Sequence, residues 1–228
     1  LKDADVKVRA AAAAALGAIG AAAKEAGPAL LQALKDAEAL VRRQAADALG
    51  RIGQSNAEVI SALVQAIGDK DSGARVSAIS ALGRIGSAAH DSVPALTQAL
   101  SAGDAAVRQE AARALGRIGS VNEKALSSLV QALKDRDAAT RESAAGAFGV
   151  IAQAKAVPKD VLQAIVQLLR DADAEVKKSG ARALGEIGAQ AADAVAVLQD
   201  LKKDSDPEVR KAAAMALSRI EPGGGGEG

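Results

Sequence analysis

The side chains that most often carry out catalysis are scarce in this chain. It contains one histidine, His90, and no cysteine, tyrosine or tryptophan. General acid–base and nucleophilic catalysis need several reactive groups that converge on one point. A lone histidine beside a helix start is far more often a loop residue than a catalytic one. The sequence therefore predicts a non-catalytic protein with no catalytic residue, no metal site and no cofactor.

Charged side chains instead recur in two regular columns. The basic column consists of Arg9, Arg42, Arg75, Arg108, Arg141, Lys177 and Arg210. The acidic column lies six residues earlier and consists of Asp3, Asp36, Asp69, Asp135, Asp171 and Asp204, with Ala102 as its one gap. These columns could form a charged binding strip. We favour a structural role, because regular repeats need a regular contact between neighbours and carboxylates stabilise helix N-termini.

A third column is made of amides. It comprises Gln32, Gln65, Gln98, Gln131 and Gln167, with Asp200 at the sixth position. Evenly spaced amides could hydrogen-bond an extended partner, although glutamine is also a good helix former on any solvated face. Neighbouring outward positions, including Ser61, Ser128 and Gln163, vary between repeats. Such variation is expected on a binding surface, and it is also expected at surface positions whose sequence changes without effect on function.

The elements that position these columns follow from the period. The dipeptide Leu-Gly, or its close variants, recurs at Leu16, Leu49, Leu82, Leu115, Phe148, Leu184 and Leu217, with spacings of 33, 33, 33, 33, 36 and 33 residues. Each repeat carries two helical patterns of apolar residues, so we expect a first helix, a stop at glycine and a second helix. One such pair cannot bury both of its apolar stripes, so the repeats must stack into a solenoid.

Composition supports an all-α fold. Alanine makes up about a quarter of the chain and Phe148 is its single aromatic residue. Alanine is the strongest helix former and allows helices to approach closely. A core without aromatics suits thin layers of helices better than a thick globule.

The repeated pattern, as in Asp104 to Gly119 (DAAVRQEAARALGRIG), resembles the short HEAT-like repeats of bilin-lyase-type proteins. The resemblance covers residues 1–220 and implies an all-α, right-handed superhelix of about six and a half two-helix repeats of 33–36 residues. It implies that the second helices line the concave face and that the protein binds another protein there. An alternative that it also implies is a subunit of a bilin lyase, or a chaperone-like factor that acts on a pigment-protein. Residues 221–228 are expected to form a flexible, glycine-rich tail.

Charge and hydropathy narrow the choice of partner. With 29 basic and 28 acidic residues the chain lacks the excess of positive charge that nucleic-acid-binding proteins carry, which disfavours nucleic acid as a partner. We find no apolar run that approaches the ~18 residues of a membrane span. The last helix is expected to expose an apolar flank, which suggests end-to-end self-association.

The fifth repeat departs from the others. It has three extra residues in the segment AQAKAVPK, residues 152–159, where Gln153, Lys155 and Lys159 are the polar candidates for a contact. Insertions in repeat proteins often lie on a functional face, but surface loops also tolerate insertion at little cost. The sequence leaves both interpretations open.

Overall fold

The computed structural model describes residues 1–119, 122–153 and 156–221, and every regular element in those ranges is helical. Its first helices are α1 (Val6–Ile19), α3 (Ala39–Ile52), α5 (Ser72–Ile85), α7 (Ala105–Ile118), α9 (Ala138–Ala152), α11 (Ala174–Ile187) and α13 (Pro207–Ile220). Its second helices are α2 (Gly27–Ala33), α4 (Ala57–Ala66), α6 (Val93–Ala99), α8 (Glu123–Ala132), α10 (Lys159–Leu168) and α12 (Val195–Leu201). This order confirms an all-α solenoid of six two-helix repeats followed by a further first helix.

The second helices come in two forms. In the first, third and sixth repeats a 3-10 segment leads into a short α-helix; these segments are Gly20–Ala26, Gly86–Ser92 and Gly188–Ala194. In the other repeats the second helix is an α-helix of 10 residues, as in α4, α8 and α10. Proline opens α2, α6 and α13, where its missing N–H costs nothing.

Aspartate side chains begin most of the first helices. Asp71 accepts a hydrogen bond from the backbone N–H of Ala74 at the start of α5, and Asp137 does the same for Thr140 at α9. Glycine ends five of them: Gly20, Gly53, Gly86, Gly119 and Gly188 all have positive φ, as the sequence predicts. In the fifth repeat Ala152 replaces this glycine, and α9 continues through it to a right-handed C-cap at Gln153.

The core lies between neighbouring first helices. It is filled by Leu, Ile, Val and Ala side chains, and Phe148 is fully buried among them. Four glycines of the Leu-Gly pairs let two first helices approach closely: Gly17, Gly50, Gly83 and Gly185. A Cβ built on Gly50 would stand 2.6 Å from Ala81 Cα, so only glycine fits there. This close approach explains why the dipeptide is the most regular feature of the sequence.

The chain divides into two compact units, the first ending at Ala125 and the second beginning at Leu126. Within the first unit α1, α3, α5 and α7 pack side by side in sequence order. Within the second, α9 packs on α11 and α11 on α13. In both units a second helix also packs on the first helix that follows it, as α4 does on α5 and α12 on α13.

One stretch corrects the expectation that no segment is apolar enough to span a membrane. By length and composition alone Val6–Ala33 qualifies, with a mean hydropathy of 1.4. In the structure this stretch is not one straight helix, because α1 stops at Gly20 and α2 starts only at Gly27. It forms the first repeat, and Ala13 of α1 is fully buried against its neighbours.

Candidate protein-binding face

The basic and acidic columns meet in a ladder along the first helices. Arg42 donates from Nε and Nη2 to the two carboxylate oxygens of Asp69 in the next repeat, at 2.6 and 2.8 Å. Its Nη1 donates to the backbone oxygens of Asp36 and Ala37, at 2.9 and 2.8 Å. One guanidinium therefore fastens the loop before its own helix to the loop before the next. We call each such arrangement a rung.

Other rungs repeat this pairing between successive repeats, with a single ammonium donor where lysine replaces arginine. Arg9 pairs with Asp36 at 2.8 Å, Arg141 with Asp171 at 2.7 Å and Lys177 with Asp204 at 2.5 Å. The remaining members of the columns are also anchored to the loops: Arg108 donates to Ala102 and Gly103, Arg210 donates to Asp204 and Ser205, and Asp135 accepts from the N–H of Asp137.

The rungs lower the pKa of their carboxyl groups. Hydrogen bonds from Arg9 and Arg42 hold the pKa of Asp36 and of Asp69 below the ordinary value, because they stabilise the carboxylate. Beside the ladder, Arg43 and the N–H of Ala74 lower the pKa of Asp71 to about 2. These carboxylates are structural ions.

The rung at Arg75 is incomplete, because Ala102 stands where the other repeats have aspartate. Arg75 keeps its bonds from Nη1 to the backbone oxygens of Asp69 and Lys70, at 3.0 and 3.3 Å. Its Nη2 lies 3.5 Å from an oxygen of Asp104, and among the described residues no carboxylate takes both arms of the fork. The Arg75 side chain is 25% exposed, against 8% for that of Arg42.

The glutamine column lies on the outside of the second helices. All of its members are exposed: Gln32, Gln65, Gln98, Gln131 and Gln167. Ser61 and Gln163 are exposed as well, while Ser128 is half-buried. Each of these exposed side chains points away from the core of its own unit and is open to solvent.

A cleft interrupts this face in the first unit. It has a volume of about 600 Å³ and lies between the ends of α4 and α6. Its apolar lining includes Val64, Ile67 and Val107, while Gln98 and Arg75 provide polar groups. The cleft therefore joins a member of the glutamine column to the incomplete rung.

A smaller cleft of about 300 Å³ lies in the second unit. Gln163 and Gln167 of α10 line one side, and Gln190 lines the other. Lys159, the first residue of α10, is also at its edge, with its Nζ 3.8 Å from an oxygen of Asp193. Two exposed glutamines and one lysine that the sequence analysis proposed as contact residues thus line the same cleft.

The insertion in the fifth repeat is tied to the sixth. The backbone N–H of Val157 donates to the side-chain oxygen of Gln190 at 3.1 Å, and the Val157 side chain is buried. Gln153 is exposed at the end of α9, and Lys155 lies outside the described residues. The sequence reasoning missed Val157, whose apolar side chain next to Pro158 was the available signal.

Among the residues that the structure describes, His90 is not joined by other groups that could take part in catalysis. His90 is exposed, with its Nε2 3.4 Å from an oxygen of Asp91. Within the described ranges no group of three or more His, Cys, Asp or Glu side chains could hold a metal ion.

The repeat pattern identifies the family. The profile of HEAT repeats matches residues 1–75, 27–97, 60–149 and 162–225. The chain belongs to the HEAT-repeat family. This confirms the resemblance drawn from the sequence pattern. No curated protein matches this HEAT-repeat chain.

Several solved structures with a similar fold are engineered or designed proteins. One engineered protein shares 30% identity with the HEAT-repeat chain, covers 87% of it and 97% of its own chain, and has a TM-score of 0.62. A second shares 28% identity over 85% and 98% of the two chains, with a TM-score of 0.63. A designed armadillo repeat protein in complex with peptide (KR)4 shares 23% identity over 85% and 98%, with a TM-score of 0.63, and shows similarity of fold alone.

Proposed function

We propose that this HEAT-repeat protein is a non-catalytic scaffold that binds another protein through the face formed by its second helices. The observation that carries the proposal is the exposed glutamine column, which borders a cleft in each unit. The first helices pack on one another and hold the rungs, so their side chains are largely used for stability. The second helices pack on the core with one side only and leave the other side free.

Glutamine suits this role for a chemical reason. Each side-chain amide offers two donors and one acceptor, which can pair with the backbone of an extended segment irrespective of its sequence. Helical-repeat folds of this kind hold peptides in at least one designed armadillo protein, which supports the proposal at the level of the fold. The alternative of a bilin-lyase subunit receives no support from the comparisons.

The test compares two pairs of glutamines. The double variant Gln65→Ala/Gln98→Ala removes two amides from the second helices. The control Gln44→Ala/Gln109→Ala removes two half-exposed amides from first helices of the same unit. A protein retained by the full chain from its native source is purified, and its affinity for each variant is measured by calorimetry.

We expect the second-helix pair to weaken binding about thirtyfold, since each of the two lost hydrogen bonds costs about 1 kcal/mol. The first-helix pair should bind as the wild type does. Equal affinities for both pairs, or no retained protein at all, would overturn the proposal.

A further inference from the structure

The incomplete rung at Arg75 has the geometry of a prepared carboxylate site. In the complete rungs, Nη1 is held by backbone oxygens while Nε and Nη2 face a carboxylate, as in Arg42 with Asp69 at 2.6 and 2.8 Å. Arg75 keeps the first part of this arrangement, with Nη1 bonded to Asp69 and Lys70. The guanidinium is therefore oriented by its own repeat, and it does not depend on the missing aspartate for its position.

The carboxylate of Asp104 does not fill this site. One of its oxygens accepts from the N–H of Ala106 at the start of α7, at 2.9 Å, and the other accepts from the hydroxyl of Ser72. Its distance of 3.5 Å from Arg75 Nη2 is longer than the 2.7–2.9 Å of a charge-assisted hydrogen bond. Asp104 serves as an N-cap, and the fork of Arg75 stays open to a second carboxylate.

The rung at Arg141 shows that two carboxylates can share this space. There Asp171 pairs with Arg141, while Asp173, two residues later, caps α11, and the residue that follows Arg141 is not a second arginine. The relation of Asp171 to Asp173 is the relation of position 102 to Asp104. A carboxylate beside Ala102 would therefore meet charges that another repeat of this chain already accommodates.

The surroundings of Arg75 indicate what carries that carboxylate. The cleft of about 600 Å³ places Val64, Ile67 and Val107 beside the guanidinium, with the Gln98 amide at its border. Apolar walls next to a preoriented cation favour an acidic side chain flanked by an apolar one over a small free anion, because the apolar neighbour gains from burial.

We propose that Arg75 and this cleft bind an acidic residue of a partner peptide, with a Glu or Asp carboxylate in the place of the side chain missing at position 102 and an adjacent aliphatic side chain in the cleft. This inference rests on the proposed scaffold function and names the chemistry of one of its contacts. Under this proposal the missing aspartate at position 102 lets the third repeat select partners that carry an acidic residue.

The test uses two blocked peptides, Ac-Ala-Leu-Glu-Leu-Ala-NH2 and the same peptide with Gln in place of Glu. Each is titrated into the full ¹⁵N-labelled chain, and the Nε–Hε resonance of Arg75 is followed by NMR. We expect the Glu peptide to shift this resonance and to bind about tenfold more tightly than the Gln peptide, as the loss of one charge-assisted bidentate contact implies.

Two variants make the result specific. Ala102→Asp completes the rung with the side chain that the six other positions of the acidic column carry, so it is compatible with the fold. It should abolish the advantage of the Glu peptide. Arg210→Gln, which removes an exposed member of the same column in the other unit, should leave that advantage unchanged. Equal binding of the two peptides to the wild type, or an advantage that survives Ala102→Asp, would overturn the inference.

Failure of this inference is distinguishable from failure of the scaffold function. If the peptides bind equally while the full chain still retains a protein through its second helices, only the carboxylate site is wrong. If the Glu peptide is preferred but no protein is retained, the site stands and the scaffold function does not.

Discussion

Arg42 and Asp69 form a bidentate ion pair between successive repeats, with Nε 2.6 Å and Nη2 2.8 Å from the two carboxylate oxygens. Their side chains are only 8% and 11% exposed. The same guanidinium binds two backbone oxygens of its own loop, so its donors are satisfied on both sides. This arrangement couples the stability of one repeat to that of the next.

Truncation of this rung should be costly. We expect Arg42→Ala to lower the free energy of unfolding by about 3 kcal/mol, because Asp69 is left buried without its counter-ion. The neighbouring pair of Arg43 and Asp71 provides the control, since the Arg43 side chain is 44% exposed. Arg43→Ala should cost much less than Arg42→Ala, because solvent screens this exposed pair. Urea denaturation of both variants measures the difference, and equal losses would contradict a special role for the ladder.

Completion of the broken rung should stabilise the protein. Arg75 is already oriented by the backbone oxygens of Asp69 and Lys70, so Ala102→Asp adds a carboxylate without ordering a new cation. The added carboxylate can also accept from the N–H of residue 104, as Asp69 does from Asp71. We expect a gain of about 1 kcal/mol in the free energy of unfolding. A melting temperature at or below that of the wild type would argue against this.

Acid should weaken the fold in a defined window. The pKa of Asp71 is lowered to about 2 by Arg43 and the N–H of Ala74, and the pKa values of Asp36, Asp69 and Asp204 are lowered by their rung partners. In the unfolded chain an aspartate has a pKa of about 3.9. Between these values the unfolded state binds more protons, so stability is complete above pH ~4 and falls as the pH approaches ~2.

The window can be checked with urea denaturation at a series of pH values. Asp71→Asn is the informative variant, because asparagine still accepts the capping bond from Ala74 but does not titrate. We expect this variant to show a shallower loss of stability between pH 4 and pH 2 than the wild type. A wild-type stability that does not change across this window would show that the carboxylates are not linked to folding.

The fold could be predicted from the sequence because the same two-helix pattern occurs in every repeat. The stops at Gly20, Gly53 and their counterparts, the two-helix unit and the number of repeats all follow from the period, and the structure agrees with them. The columns of arginine and aspartate were visible for the same reason. A single copy of the pattern would be compatible with several folds. Several copies in one register are compatible with few arrangements other than a stack of two-helix repeats.

The sites were less accessible to sequence reasoning because they arise where the repeat fails. The gap at Ala102 was visible, yet its consequence needed the position of Val64, Ile67 and Gln98 around Arg75, which belong to other helices. The contact from Val157 to Gln190 joins two repeats through an insertion that no other repeat shares. The sequence period predicts the features that recur in every repeat. The role of a position that differs in one repeat depends on the residues that surround it in the folded protein, and the sequence does not show these.

The Leu-Gly dipeptide leads to a paired prediction on two helical glycines. Gly50 faces Ala81 across the α3–α5 contact, where an added Cβ would lie 2.6 Å from Ala81 Cα and 2.8 Å from its Cβ. These atoms are backbone and Cβ atoms of Ala81 on α5, so the strain cannot be relieved by a rotamer change. We expect Gly50→Ala to lower the free energy of unfolding by about 2 kcal/mol, since the steric cost exceeds the gain in helix propensity.

Gly146 in α9 is the matched control, because an added Cβ there would meet nothing within 4 Å. Gly146→Ala should therefore raise the free energy of unfolding by about 0.5–1 kcal/mol through helix propensity alone. Urea denaturation of both variants measures whether each substitution raises or lowers the free energy of unfolding. If Gly50→Ala proved as stabilising as Gly146→Ala, the first helices would not need their close approach, and the regularity of the Leu-Gly column would require another cause.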